Sequence, residues 1–261
     1  MKKIAVMLAL AMAVSASAAE KKAEEAAAPK DGWTTALNAG LTMTDGNSET
    51  LAANASLVTE GQKEGLGSVI AGAEANYGES TVRGTGPSAD GSAQEDVKTT
   101  TVENAKAYAN VKKTLSERTY ASLDGSVLYD SIALLDYRAM LGPGLGVYLV
   151  KNDKRNLSVE AGPSYVWEQK DGVTDDYLAL RFTERYTCQA TKTAKLVQSL
   201  EYVPAAEDFD NYLLTGEVGV EAAMSERMSL RVVVQDKYDS TPAPGAEYND
   251  LSLIAGIGFT L

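Results

Sequence analysis

From Trp33 to the C-terminus one pattern recurs: apolar residues take every second position, over stretches of eleven to fifteen residues. Trp33, Leu37, Ala39, Leu41 and Met43 share one parity, while Thr34, Asn38, Gly40 and Thr42 hold the other. Successive strand residues point to opposite faces, so each stretch has one apolar and one polar face. Turn-forming residues, first Asp45-Gly46-Asn47, divide the chain into twelve stretches: 33–44, 48–59, 67–78, 99–111, 118–130, 136–150, 155–168, 176–190, 193–203, 211–224, 227–238 and 249–261. Globular strands average about five or six residues, whereas a strand tilted across a bilayer needs about nine to eleven. Segment length therefore predicts an all-β fold, a transmembrane antiparallel up-and-down β-barrel of twelve strands over residues 32–261. After residue 31 no run of eighteen apolar residues occurs, as expected where only alternate residues meet lipid.

In 155–168 the outward set is Leu157, Val159, Ala161, Pro163, Tyr165 and Trp167. The opposite parity throughout is rich in Gly, Ser, Thr and Asn, with charges of both signs. A soluble sheet would present mostly long charged side chains there, so this composition suits a crowded polar interior. The inward charges are Glu74, Lys106, Asp124, Arg138, Glu160, Arg181, Arg185, Lys195, Glu201, Glu217, Glu221, Arg231 and Lys237. The tight turn at 225–226 should set Arg231 opposite or diagonal to Glu221. Two readings stay open. An ion-pair ladder, with Tyr108, Tyr120 and Tyr148, fills the interior. Alternatively, opposed charges orient a small solute in a narrow pore, for which twelve strands leave room.

The connections alternate in size. Short turns are expected at 112–117, 151–154, 191–192 and 225–226, and longer loops at 79–98, 169–175, 204–210 and 239–248. Membrane barrels keep short turns in the periplasm and longer loops outside. Tyr77, Tyr129, Tyr137, Tyr165, Trp167, Tyr177, Tyr202, Tyr212 and Tyr238 are all expected outward near the loop end, as an interfacial girdle. The expected outer loops are strongly acidic and the inner turns basic. Solvated polar ends explain this; a bolder expectation is divalent cations held at the acidic outer loops.

The N-terminus carries Lys2 and Lys3, an apolar run Ile4–Val14 and the small residues Ser15–Ala19. This order predicts a cleaved secretory signal over 1–19, with cleavage after Ala18 or Ala19. Residues 20–31, EKKAEEAAAPKD, read as a solvated periplasmic linker.

Composition excludes several chemistries. The chain has no histidine, which removes Ser-His-Asp triads, Cys-His dyads and histidine metal sites. Its net charge of −12 does not suit a nucleic-acid binder. Cys188 is the single cysteine, so no intrachain disulfide forms; its parity makes it a small lipid-facing hydrophobe. No phosphate loop or dinucleotide fingerprint occurs, and no catalytic residue, metal ligand or cofactor is assigned. Glu184 shares the apolar parity of Leu178, Leu180, Phe182 and Tyr186 near mid-strand, a misfit that a bulge near 184 would repair. Gly142-Pro143-Gly144 and Gly162-Pro163 lie at corresponding heights across the 151–154 turn, where a bend in the wall is expected.

Several segments carry a family resemblance: GWTTALNAGLTMTDGNSET at 32–50, SERTYASLDGSVLYD at 116–130, YRAMLGPGLGVYLV at 137–150, and KYDSTPAP with the closing NDLSLIAGIGFTL within 227–261. Over residues 32–261 the sequence resembles the salt-induced outer-membrane proteins, a family whose domain has no established function. The resemblance implies an outer-membrane barrel and a loose link to salt or osmotic stress, and transfers no site residue. Gly256 and Phe259 also resemble the C-terminal signal read by the barrel assembly machinery, with Leu261 in place of a final aromatic. The expected partners are outer-membrane lipid and that machinery, around a monomer. The expected function is a passive channel or an envelope structural protein, not an enzyme. Two alternatives remain: a soluble periplasmic β-barrel binding protein, and an outer-membrane hydrolase working without histidine.

Overall fold

A computed structural model describes residues 31–44, 48–64, 66–82 and 96–261. It contains twelve strands: β1 (Asp31–Thr44), β2 (Ser48–Lys63), β3 (Gly67–Val82), β4 (Val97–Thr114), β5 (Thr119–Asp130), β6 (Leu135–Lys151), β7 (Arg155–Lys170), β8 (Val173–Gln189), β9 (Ala194–Pro204), β10 (Tyr212–Ala223), β11 (Met228–Asp239) and β12 (Asn249–Thr260). Each pairs antiparallel with its sequence neighbours, and β12 closes on β1 with Leu37 opposite Phe259 and Ala39 opposite Ile257. Closure pairs every strand on both sides, which satisfies the backbone without water. The expected signal segment 1–19 and the linker 20–31 lie outside the described residues, except Asp31, which opens β1.

Among the described residues, four turns at one end of the barrel share the same build. Ser116, Asn152, Thr191 and Ser225 each accept two backbone N–H groups on a side-chain oxygen, from residues two and three positions on, at 2.8–3.3 Å. Each also donates its own N–H to the carbonyl three residues ahead, at 3.0–3.1 Å. Short hydroxyl and amide side chains suit this role because they mimic a backbone acceptor. This is the turn end; the opposite one is the loop end.

At the loop end the expectations need correcting. No loop spans 169–175: β7 and β8 are joined by Asp171-Gly172 alone, with φ of 48° and 76°. Two successive positive φ values match the strand twist of a two-residue hairpin, and Asp-Gly is among the pairs that adopt them most readily. The connections expected at 45–47 and within 79–98 lie wholly or largely outside the described residues, and β3 and β4 extend to Val82 and from Val97.

Alternation holds along the wall. In β7, Ser158, Glu160, Ser164, Val166 and Glu168 are buried, while Ala161, Pro163, Tyr165 and Trp167 are exposed. The largest apolar side chains lie outside: Leu145 is 66% exposed and Leu253 67%, against 0% for the inward Val166. The outward rings of Phe182, Tyr202, Tyr212, Tyr238 and Tyr248 form a chain that runs from mid-wall at Phe182 to the loop end, with successive centroids 5.4–6.3 Å apart. Tyr177 does not join them. It pairs with Val166 and packs inside, because Leu178 and Leu180 hold the outward parity of β8.

Glu184 brings a second correction. The β7–β8 and β8–β9 registers run through it without a shift, so no bulge turns it inward. It stays on the outward parity and accepts a hydrogen bond from Gln198 Nε2 at 2.5 Å. The register shifts lie elsewhere, at Gly78/Glu79, Leu128/Asp130, Leu135/Tyr137 and Tyr148/Val150.

Candidate functional site

The barrel interior is filled on one side only. Among the described residues, every buried side chain within the strands lies on β5–β11, except Asn110 of β4. The inward side chains of β1–β3, among them Asn38, Asn54, Ser56, Glu74 and Asn76, remain part-exposed. Three layers fill the β5–β11 side.

The layer nearest the turn end centres on Arg181 of β8. Its guanidinium donates from Nε to Glu201 at 2.6 Å and from Nη1 to Glu160 at 2.8 Å, and Nη2 lies 3.4 Å from Asp124. One planar fork thus joins β5, β7, β8 and β9, the geometry in which arginine binds several carboxylate oxygens at once. A contact from β8 to β5 skips two intervening strands, so it runs through the interior. Lys112 of β4 reaches Glu160 at 3.9 Å and donates to the Tyr120 hydroxyl at 3.3 Å, and Asn110 donates to Asp124 at 3.0 Å.

Above this lies an apolar layer of Val166, Ala179, Val203 and Leu213, joined by Met140 and Tyr177. The third layer, at the loop end, ties Arg138 of β6 to Glu168 at 2.6 Å and to Asp239 of β11 at 2.7 Å. Lys170 bridges the same two acids at 3.0 and 3.1 Å, and donates to the Thr241 carbonyl at 2.8 Å. These bonds hold the 240–248 loop over the mouth, with Ala243 3% exposed.

The remaining anticipated charges sit at defined register positions. Glu74 faces Lys106 across β3–β4. Glu221 stands directly opposite both Arg231 and Lys195, and Glu217 accepts a hydrogen bond from Gln235 at 2.5 Å. Lys237 faces Thr215 and Asp250, and Arg185 faces Ser158 and Ser199.

The inward tyrosines block less than their size suggests. Tyr108 lies on Gly72 and Tyr120 on Gly146, its register partner in each case. A Cβ at Gly72 would come within 2.6 Å of the Tyr108 ring, and one at Gly146 within 2.2 Å of Tyr120. The missing side chains let the rings lie against the wall, an aromatic–glycine pairing that also covers exposed backbone. Tyr148 packs on Tyr120 with centroids 5.0 Å apart.

The β1–β4 side is lined by short polar groups in cross-strand hydrogen bonds. Asn38 donates to Ser56 at 3.1 Å and Asn76 to Asn104 at 2.8 Å. Two chambers open along the interior. One at the turn end, about 220 Å³, is bounded by Thr34, Glu60, Asn110, Lys112, Tyr148 and Arg185. One at the loop end, about 110 Å³, lies beneath Pro242 and Ala243 and reaches down to Lys106, Met140 and Glu201.

Sequence reasoning missed Glu60, Lys112, Lys170 and Asp239 as interior groups. Each lies where a strand runs past the last clear apolar–polar alternation, within a stretch expected as turn or loop. Parity could have found all four: Glu60 is in step with Asn54 and Ser56, Lys112 with Tyr108 and Asn110, Lys170 with Glu160 and Glu168, and Asp239 with Arg231 and Lys237. Among the described residues no group of three or more Asp, Glu or Cys forms that could hold a metal ion.

This architecture recurs in solved structures. The NanC porin superposes with a TM-score of 0.53 at 10% identity, over 87% of this chain and 100% of that one. The KdgM porin gives 0.45 at 10% identity, over 87% and 98% of the two chains. The translocator domain of the autotransporter NalP from Neisseria meningitidis gives 0.46 at 12%, over 87% and 86%. At 10% identity the likeness to the NanC porin speaks for the fold alone. No curated protein matches the chain. The model of the family described as "Protein of unknown function, DUF481" matches residues 37–261, from the first strand to the last residue, and the chain belongs to that family.

Proposed function

We propose that this protein is a non-enzymatic outer-membrane β-barrel with a narrow, off-centre aqueous passage. The one-sided filling of the interior carries this reading. Buried ion pairs and apolar side chains occupy the β5–β11 side, while part-exposed Asn, Ser and Thr line β1–β3. Supporting it, the inward Tyr108 and Tyr120 rings lie over Gly72 and Gly146 of the neighbouring strands. The outward leucines suit lipid, and the ring chain at the loop end suits the headgroup boundary. On this reading a signal peptide delivers the chain, the barrel assembly machinery inserts it, and it acts as a monomer. A link to salt or osmotic stress rests on the sequence resemblance alone.

The purified protein in planar lipid bilayers should give small, steady conductance steps in KCl. Ser56→Trp, which fills the open side, should lower the step by roughly half or more, while Val166→Ala on the packed side should change it little. A flat trace over a range of voltages overturns the channel. Recovery of the protein in the aqueous fraction without detergent overturns the membrane placement.

A further inference from the structure

The wall between β6 and β7 is interrupted at one place. Its register reaches Leu141 opposite Tyr165 and resumes at Leu145 opposite Ala161, with no ladder pair between. Pro143 and Pro163 stand opposite each other at the centre of this gap. A prolyl nitrogen carries no hydrogen, so neither can donate across. Each prolyl carbonyl lies against a glycine instead: a Cβ at Gly142 would be 2.2 Å from the Pro163 oxygen, and one at Gly162 would be 2.0 Å from the Pro143 oxygen. The seam is therefore closed by Cα–H···O contacts, weaker than the N–H···O bonds of the ladder.

Apolar surface lies near this seam on both sides. Inside, toward the loop end, Met140, Val203 and Leu213 line the chamber under the 240–248 loop. Outside, toward the turn end, Leu145 and Ala161 begin a groove of about 720 Å³ that continues over Val159, Phe182 and Leu200. A passage for water and ions alone would not need an apolar inner surface.

We propose that the β6–β7 seam is a lateral portal, through which small amphiphilic molecules with an apolar body pass from the loop-end chamber into the membrane hydrocarbon. Opening separates strands where no N–H···O bond has to break. The released molecule enters the outer groove, where Glu184, hydrogen-bonded to Gln198, offers an acceptor to its polar end. Glu184 then has a reason to stand on the outward face. The inference rests on the membrane placement proposed above and is independent of ion conduction.

The test restores the missing donors. Pro143 and Pro163 both point outward and are exposed, so Pro143→Val with Pro163→Val adds two N–H groups without crowding the interior. The probe is 1-N-phenylnaphthylamine, presented to outer-membrane vesicles whose lipopolysaccharide leaflet is intact. Vesicles with the wild-type barrel should take it up several-fold faster than vesicles without the protein. The double variant should fall back to the protein-free rate while keeping the KCl conductance of the wild type. Equal uptake by wild type and double variant, or wild-type uptake no faster than protein-free vesicles, overturns the portal. Probe uptake without conductance supports the portal and removes only the aqueous channel.

Discussion

Arg181 shows what one interior residue can hold. Its guanidinium is the shared partner of Asp124, Glu160 and Glu201, and its side chain is 8% exposed. Arg181→Gln would leave three carboxylates facing one another with Lys112 as the nearest cation. Removing one partner from a buried ion pair costs about 3–5 kcal/mol, so the variant should unfold at clearly lower urea concentration in detergent micelles. Adding Glu201→Gln should recover part of the loss, since one unpaired charge is gone; an equal midpoint for single and double variants would contradict the hub. Gly146 offers a cleaner probe of the passage. Gly146→Ala places a methyl where the Tyr120 ring lies, 2.2 Å from its Cζ, and the ring must swing off the wall. Conductance should fall, and Gly146→Ala with Tyr120→Ala should restore it.

Among the elements, the turn end carries a testable repeat. Ser116, Asn152, Thr191 and Ser225 each satisfy two backbone donors, so Asn152→Ala should destabilise the β6–β7 hairpin by about 1 kcal/mol, seen as a lower urea midpoint with conductance unchanged. The number of strands and their order were legible in the sequence, because alternation depends only on which face each residue meets. Strand ends were not. Lys112, Lys170 and Asp239 keep the inward parity but stand beside turn residues, and their partners on distant strands leave no trace in a linear pattern. The contacts of Arg181 depend on how far each strand is staggered against the next, a property of the closed wall. Tyr177 misled for the opposite reason: a ring near the loop end reads as girdle, yet its partner Val166 lies inside. Glu184 was recognised as out of place, but the expected bulge is absent and Gln198 supplies the partner instead.

For the whole molecule, the decisive quantity is the continuity of the wall. Apart from the gap at the two prolines, its shortest junction joins the first and last strands: β1 and β12 share only four register pairs, Ala36–Ala39 with Ile257–Thr260. Beyond them Leu261 N–H donates to the Thr35 carbonyl at 2.9 Å. Close approach at this junction depends on glycine. A Cβ at Gly40 would lie 2.3 Å from the Ala255 carbonyl oxygen, and one at Gly256 would lie 3.0 Å from that of Ala39. Gly40→Val should therefore let the hairpins form yet hinder closure. The expected result is loss of the fast-migrating folded band in unheated electrophoresis and cleavage by added protease. Joining the junction covalently should act the other way. Leu37 and Phe259 are register partners on the outward face, so Leu37→Cys with Phe259→Cys, in a Cys188→Ser chain, should oxidise to a disulfide. If the junction is where the barrel opens, the oxidised form should keep its folded band at a higher temperature than the reduced form. If both lose it at the same temperature, the wall yields elsewhere first, and the β6–β7 seam becomes the place to look.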